Sequence, residues 1–185
     1  MKARVIVSMA CNRKCDNCCN KGRVIAQAEK LDNIDPLLFY DEIILTGGEP
    51  MLISNQVAIF LHDLRRNHVY FGKIYLYTAL YNRKLELEYM DLFNYIDGLH
   101  YTVHYESTDQ EVAELKLLSE MLPRKSKISF RLSIDNRLYE KYDFSNIDLS
   151  GWSIVRKLKW LDECQLPENE KLFLYDLTEY EYEHM

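Results

Sequence analysis

Short β-branched or apolar runs alternate with stretches of helical spacing along nearly the whole chain, and this alternation limits the fold more than any other feature. Residues 3–8 (Ala-Arg-Val-Ile-Val-Ser) read as a first, buried strand, followed by a cysteine-rich loop to Arg23 and a weakly helical stretch. Asp35 before Pro36 starts a short helix through Phe39. Residues 41–46 form the second strand, stopped by Gly47-Gly48. Ser54 or Asn55 is placed to cap a helix whose Val57, Phe60, Leu61 and Leu64 share one face. Residues 73–78 alternate as a third strand, a helix follows around 85–95, and a fourth strand covers 98–104. A helix capped near Ser107 or Thr108 carries Val112, Leu115, Leu118 and Leu122 and ends at Pro123. Residues 127–134 and 152–158 give the fifth and sixth strands.

This order is the signature of βαβ units around a parallel sheet, each crossover long enough to run right-handed. Six strands are too few for a closed eight-stranded barrel. The expected architecture is an α/β domain built as an open, partial (β/α)6 barrel of mainly parallel strands. A core domain over 1–160 is followed by an acidic, tyrosine-rich extension over 161–185, where eight carboxylates face the single Lys171. Residues 172–177 add at most an edge strand, and the rest of the tail either stays disordered or covers a face of the domain.

Four of the five cysteines (Cys11, Cys15, Cys18 and Cys19) fall within nine residues, while Cys164 stands alone as an inert thiol. The opening residues go straight into a strand and lack a signal peptide's apolar core, and no apolar run approaches the ~20 residues of a membrane span. The chain is therefore expected in the cytosol, where clustered thiols point to a metal or cluster site rather than to disulfides. Cys11, Cys15 and Cys18 suit a compact loop around an iron–sulfur cluster. Three thiolates leave one iron open for chemistry. Cys19, adjacent to Cys18, cannot easily reach a further corner and reads as a non-ligand. A zinc knuckle completed by Cys19 or a histidine is the alternative.

A formal charge of −6 argues against broad nucleic-acid binding, which depends on displacing counterions from phosphates. Arg13, Lys14, Lys21 and Arg23 nevertheless crowd the cysteines, either as solvated loop charges or as a seat for an anionic substrate or partner.

Gly47-Gly48-Glu49-Pro50 ends the second strand. Paired glycines permit close backbone approach to a ligand, and the neighbouring carboxylate can accept hydrogen bonds from an ammonium group. In a parallel sheet this segment and the cysteine loop meet at the carboxyl ends of adjacent strands, where α/β proteins build their sites.

With Cys11-x3-Cys15-x2-Cys18 after the first strand, Asn12 behind the first cysteine and Gly47-Gly48-Glu49-Pro50 after the second strand, the chain resembles the radical S-adenosylmethionine (SAM) superfamily over about residues 3–158. The resemblance implies a [4Fe–4S] cluster on Cys11, Cys15 and Cys18, with the open iron chelated by the amino and carboxylate groups of SAM. It places Gly47, Gly48 and Glu49 on the methionine amino group, and Thr102, His104 and Arg131 on the ribose or carboxylate. Reduction would cleave the sulfonium to a 5′-deoxyadenosyl radical that abstracts a substrate hydrogen, with the protein supplying orientation. A flavodoxin- or ferredoxin-type reductant is the implied partner.

The chain departs from the family pattern at Asn17, where an aromatic residue usually precedes the third cysteine, and at Thr78-Ala79-Leu80. Cys15-x2-Cys18-Cys19-Asn20-Lys21, the segment 74–81 and Asp97-Gly98 are similar to activases of glycyl radical enzymes, which need a larger protein partner. The compact carboxy-deazaguanine synthases, which act on a small molecule, are a second branch. A non-catalytic zinc- or cluster-bearing binding module is the reading from another class.

Overall fold

In the computed structural model, which describes residues 1–15, 18, 20, 24–159, 165–178 and 180, one sheet organises the chain. Its strands are β1 (Lys2–Ile6), β2 (Glu29–Lys30), β3 (Glu42–Thr46), β4 (Lys73–Thr78), β5 (Gly98–Val103), β6 (Ser129–Asp135), β7 (Ile154–Leu158) and β8 (Glu170–Leu174). All seven pairings are parallel, in the order β2-β8-β1-β3-β4-β5-β6-β7. The sheet is not closed, since β2 and β7 are its edges. The helices are α1 (Ser54–Arg66), α2 (Glu86–Leu92) and α3 (Asp109–Met121). None among the described residues is long and apolar enough to cross a membrane.

The period-2 alternation of the strands divides the sheet into two unlike faces. One face presents Val5, Leu45, Leu76, Leu99 and Leu132, all fully buried in one apolar core with Phe60 and Leu64 of α1, Leu92 of α2 and Leu115 of α3. The other presents Arg4, Tyr77, His100, Thr102, Arg131 and Ser133, in register across β1, β4, β5 and β6. The helical side is thus the hydrophobic layer, and the polar side is left for a site.

The structure adds two strands to the six expected. Residues 29–30 pair with β8, in the stretch read as weakly helical. The segment expected to supply an edge strand instead lies between β1 and β2, because Leu172 and Phe173 bury opposite faces of the sheet. The chain beyond β8 continues over α1: the Tyr180 ring meets Phe60 at 5.7 Å and its hydroxyl donates to Asp63 at 2.7 Å.

Local signals place the helix starts unevenly. Thr108 caps α3 in a reciprocal capping box with Glu111. Neither Ser54 nor Asn55 caps α1. The N-cap is Ile53 without a side-chain bond, since a 3-10 turn at Pro50–Ile53 leads directly into the helix. Glu49 caps that turn, accepting from the Met51 amide.

Candidate functional site

The carboxyl ends of β1, β3, β4 and β5 surround a cavity of about 340 Å³. Cys11, Cys15, Cys18, Gly47, Gly48, Glu49, Thr78, Thr102 and His104 all line it, so cysteine loop and glycine pair, 30 residues apart, face one space. Cys11 is exposed, Cys15 and Cys18 are half-buried, and all three are free thiols. Cys19 and Cys164 lie outside the described residues, as do Asn17, Lys21 and Arg23.

The glycines are required by the start of the cysteine loop. Gly48 N–H donates to the Ser8 carbonyl at 2.7 Å and Glu49 N–H to the Ala10 carbonyl at 2.8 Å, extending the β1–β3 pairing beyond the strands. A Cβ on Gly48 would overlap the Ala10 carbonyl, and one on Gly47 would approach the Ser8 carbonyl to 2.5 Å. Gly47 also has φ of 141°, a conformation that L side chains rarely adopt. The pair therefore sets the loop's position directly.

Glu49 is 2 % exposed, lines the cavity, and accepts three hydrogen bonds from the protein. One oxygen accepts from the Thr78 hydroxyl at 2.5 Å and from the Met51 amide at 3.0 Å, and the other accepts from the Ala79 amide at 2.9 Å. Burial holds the carboxyl above its ordinary range, with these bonds acting in the opposite direction. Glu49 thus ties the end of β3 to the end of β4 while lining the cavity beside Gly47 and Gly48.

Arg13 is no solvated loop charge. Its side chain is only 5 % exposed; it pairs with Glu111 at 2.6 Å, and donates to the Ala79 carbonyl at 2.5 Å and to Ser107 Oγ at 3.2 Å. Lys14, by contrast, is exposed. The residue that resembled an anion seat holds the cysteine loop against β4 and α3.

Thr102 and His104 both line the cavity from β5 and the turn after it. One ligand atom each of Cys15, His104 and Glu106 lies within 4.8 Å of the others, near enough for a shared metal ion. Burial, with Arg13 in support, pushes His104 down to about 4 and keeps its imidazole neutral, the form that ligates metals. Burial and the Glu106 carboxylate push the Cys15 thiol up to about 11. A bound cation reverses that balance by favouring the thiolate.

Arg131 does not line the cavity itself, although it pairs with His100 and stands two residues before Ser133, which both do. Its guanidinium stacks over the Tyr75 ring at 4.6 Å. Arg4, Tyr77, His100 and Ser133 line the cavity floor, unnamed by motif reasoning. Their signal was strand parity: they share a face with Thr102. No family model matches the chain, and no curated protein matches it.

Proposed function

We propose that the chain is a cytosolic radical SAM enzyme, its sheet forming an open partial barrel with a [4Fe–4S] cluster and SAM at its carboxyl edge. One observation carries this reading: Cys11, Cys15 and Cys18 open onto the same cavity as Gly47 and Gly48. Three soft donors on one loop suit an iron–sulfur cluster, and the site fits the group. Cys11, Cys15 and Cys18 would hold the cluster, which when reduced supplies the electron for cleaving the SAM sulfonium to a 5′-deoxyadenosyl radical. Backbone groups of Gly47 and Gly48 would orient the methionine end. Glu49, on the same cavity, would accept from the methionine amino group while fixing the strand ends through Thr78 and Ala79. Thr102 and His104 offer polar groups on the adjoining wall. Arg13 keeps the cysteine loop closed against β4. The resemblance to glycyl radical enzyme activases makes hydrogen abstraction from a protein partner the preferred reaction, with a small-molecule substrate as the other branch.

A second reading has its own observation, the grouping of Cys15, His104 and Glu106. A thiolate, an imidazole and a carboxylate are the three ligand types that zinc accepts, and together they suit one zinc ion in a binding module. Metal and sulfide analysis of anaerobically reconstituted protein separates the two. Iron at four per chain with matching acid-labile sulfide supports the enzyme. A single zinc without sulfide, lost on His104→Ala, supports the module.

A further inference from the structure

Below the carboxyl edge, the polar face of the sheet carries an uneven distribution of charge. Lys2 is compensated by Glu42 at 2.9 Å and Arg4 by Glu170 at 2.6 Å. Two further arginines share this face and have no carboxylate partner among the described residues. Arg131 stands opposite His100, and Arg156 stands opposite Ser133, on neighbouring strands β5, β6 and β7. Arg131 meets only neutral groups, Ser129 Oγ at 3.2 Å and the hydroxyl of Tyr75 at 3.3 Å. Arg156 is exposed at the sheet edge.

Next to Arg131, on the β5 side, stands His100, whose ring packs against Tyr77 at 4.5 Å and lines the cavity. Its Nε2 is 2.8 Å from Ser133 Oγ, while its Nδ1 is buried without a hydrogen-bond partner among the described residues. A buried ring nitrogen left unsatisfied is costly, and a ligand group would satisfy it. In the tautomer whose Nε2 accepts from Ser133, Nδ1 carries the hydrogen and can donate to a ligand. Burial and the surrounding arginines push His100 down to about 4, so it serves as a neutral donor at ordinary pH.

We propose that the molecule acted upon carries an anionic group, a carboxylate or a phosphate, seated on this face by Arg131, Arg156 and His100. Planar guanidinium groups bind both anions through paired, charge-assisted hydrogen bonds. The seat lies deeper on the sheet than the cysteine loop, so it assigns Arg131 to the substrate and away from the methionine carboxylate. The inference rests on the radical SAM reading only for calling the ligand a substrate; the anion seat itself needs no cluster.

Calorimetric titration of the full chain with inorganic phosphate and with malonate tests it, before and after iron–sulfide reconstitution. Saturable binding of either anion is expected, at least tenfold weaker in R131Q and in R156Q, and unchanged in K157Q, where the lysine stacks over Tyr139. Arg156 is exposed, so R156Q keeps the test valid if R131Q fails to fold. Tighter phosphate binding assigns a phosphate ester, and tighter malonate binding a carboxylate. Absence of saturable binding, wild-type affinity in either folded arginine variant, or displacement of the anion by SAM from the reconstituted chain overturns the proposal. A chain that takes up no cluster still reports on the anion seat, so the two failures remain distinct.

Discussion

Arg13 and Glu111 meet at 2.6 Å, joining the cysteine loop to the first turn of α3 across 98 residues of sequence. Glu111 also accepts from the Thr108 amide at 2.8 Å through its other oxygen, so the helix cap and the loop anchor share one carboxylate. Removing one member of such a shielded pair leaves the other uncompensated. R13M is therefore expected to lose about 3–5 kcal/mol of stability in denaturant unfolding. It should also retain less iron after reconstitution than the wild type, because the loop loses its hold on the Ala79 carbonyl.

Gly48 governs the loop from its other end. G48A places a methyl group in the space of the Ala10 carbonyl, so the loop must shift. Overpacking of this kind costs about 1–3 kcal/mol. Thermal unfolding should show the loss, and iron uptake should fall with it although no cysteine has changed.

The position of Glu49 predicts a stability effect with a separate signature. Three donors reach its two oxygens, and a glutamine offers one acceptor oxygen and an NH2 that must face a donor. E49Q should lose about 1–3 kcal/mol in unfolding experiments. Iron content per folded chain should stay at the wild-type value, since Glu49 is no cluster ligand, while SAM affinity should fall.

His100 makes stability depend on pH. The folded chain holds it near 4, below the ordinary value of 6.5, because burial and nearby arginines disfavour the imidazolium. Between those values the unfolded chain binds a proton that the folded chain does not, so stability rises with pH across this window. The contribution, on the order of 3 kcal/mol, is fully present above about pH 6.5 and is lost as pH falls toward 4. Unfolding measured from about pH 4.5 to about pH 6.5 should show stability rising less steeply with pH in H100Q than in the wild type. His104 titrates in the same window and keeps the slope from vanishing.

Much of this arrangement was legible in the sequence where a local pattern decides the structure. Val57, Phe60, Leu61 and Leu64 are all fully buried on α1, as their spacing requires. The strands from β3 to β6 fall within two residues of their expected limits. Gly47-Gly48 and the cysteines do converge on one cavity.

What escaped was non-local. Charge pattern alone cannot show that Arg13 has a partner 98 residues away, so it looked like a loop cation. Glu170–Leu174 looked like an edge because its outer neighbour β2 is two residues long and carries no periodicity of its own. That Glu49 also accepts from Thr78 and Ala79 has no local signal, because both lie at another strand's end. His100 lacked a motif, and only the register shows it side by side with Arg131.

The central claim is that the cavity of Cys11, Cys15 and Cys18 supports reductive cleavage of SAM. The most direct test incubates anaerobically reconstituted, dithionite-reduced protein with SAM and quantifies 5′-deoxyadenosine. The account predicts deoxyadenosine from the wild type and none above background from C11A, C15A or C18A. Wild-type deoxyadenosine no greater than that of the three variants would contradict it.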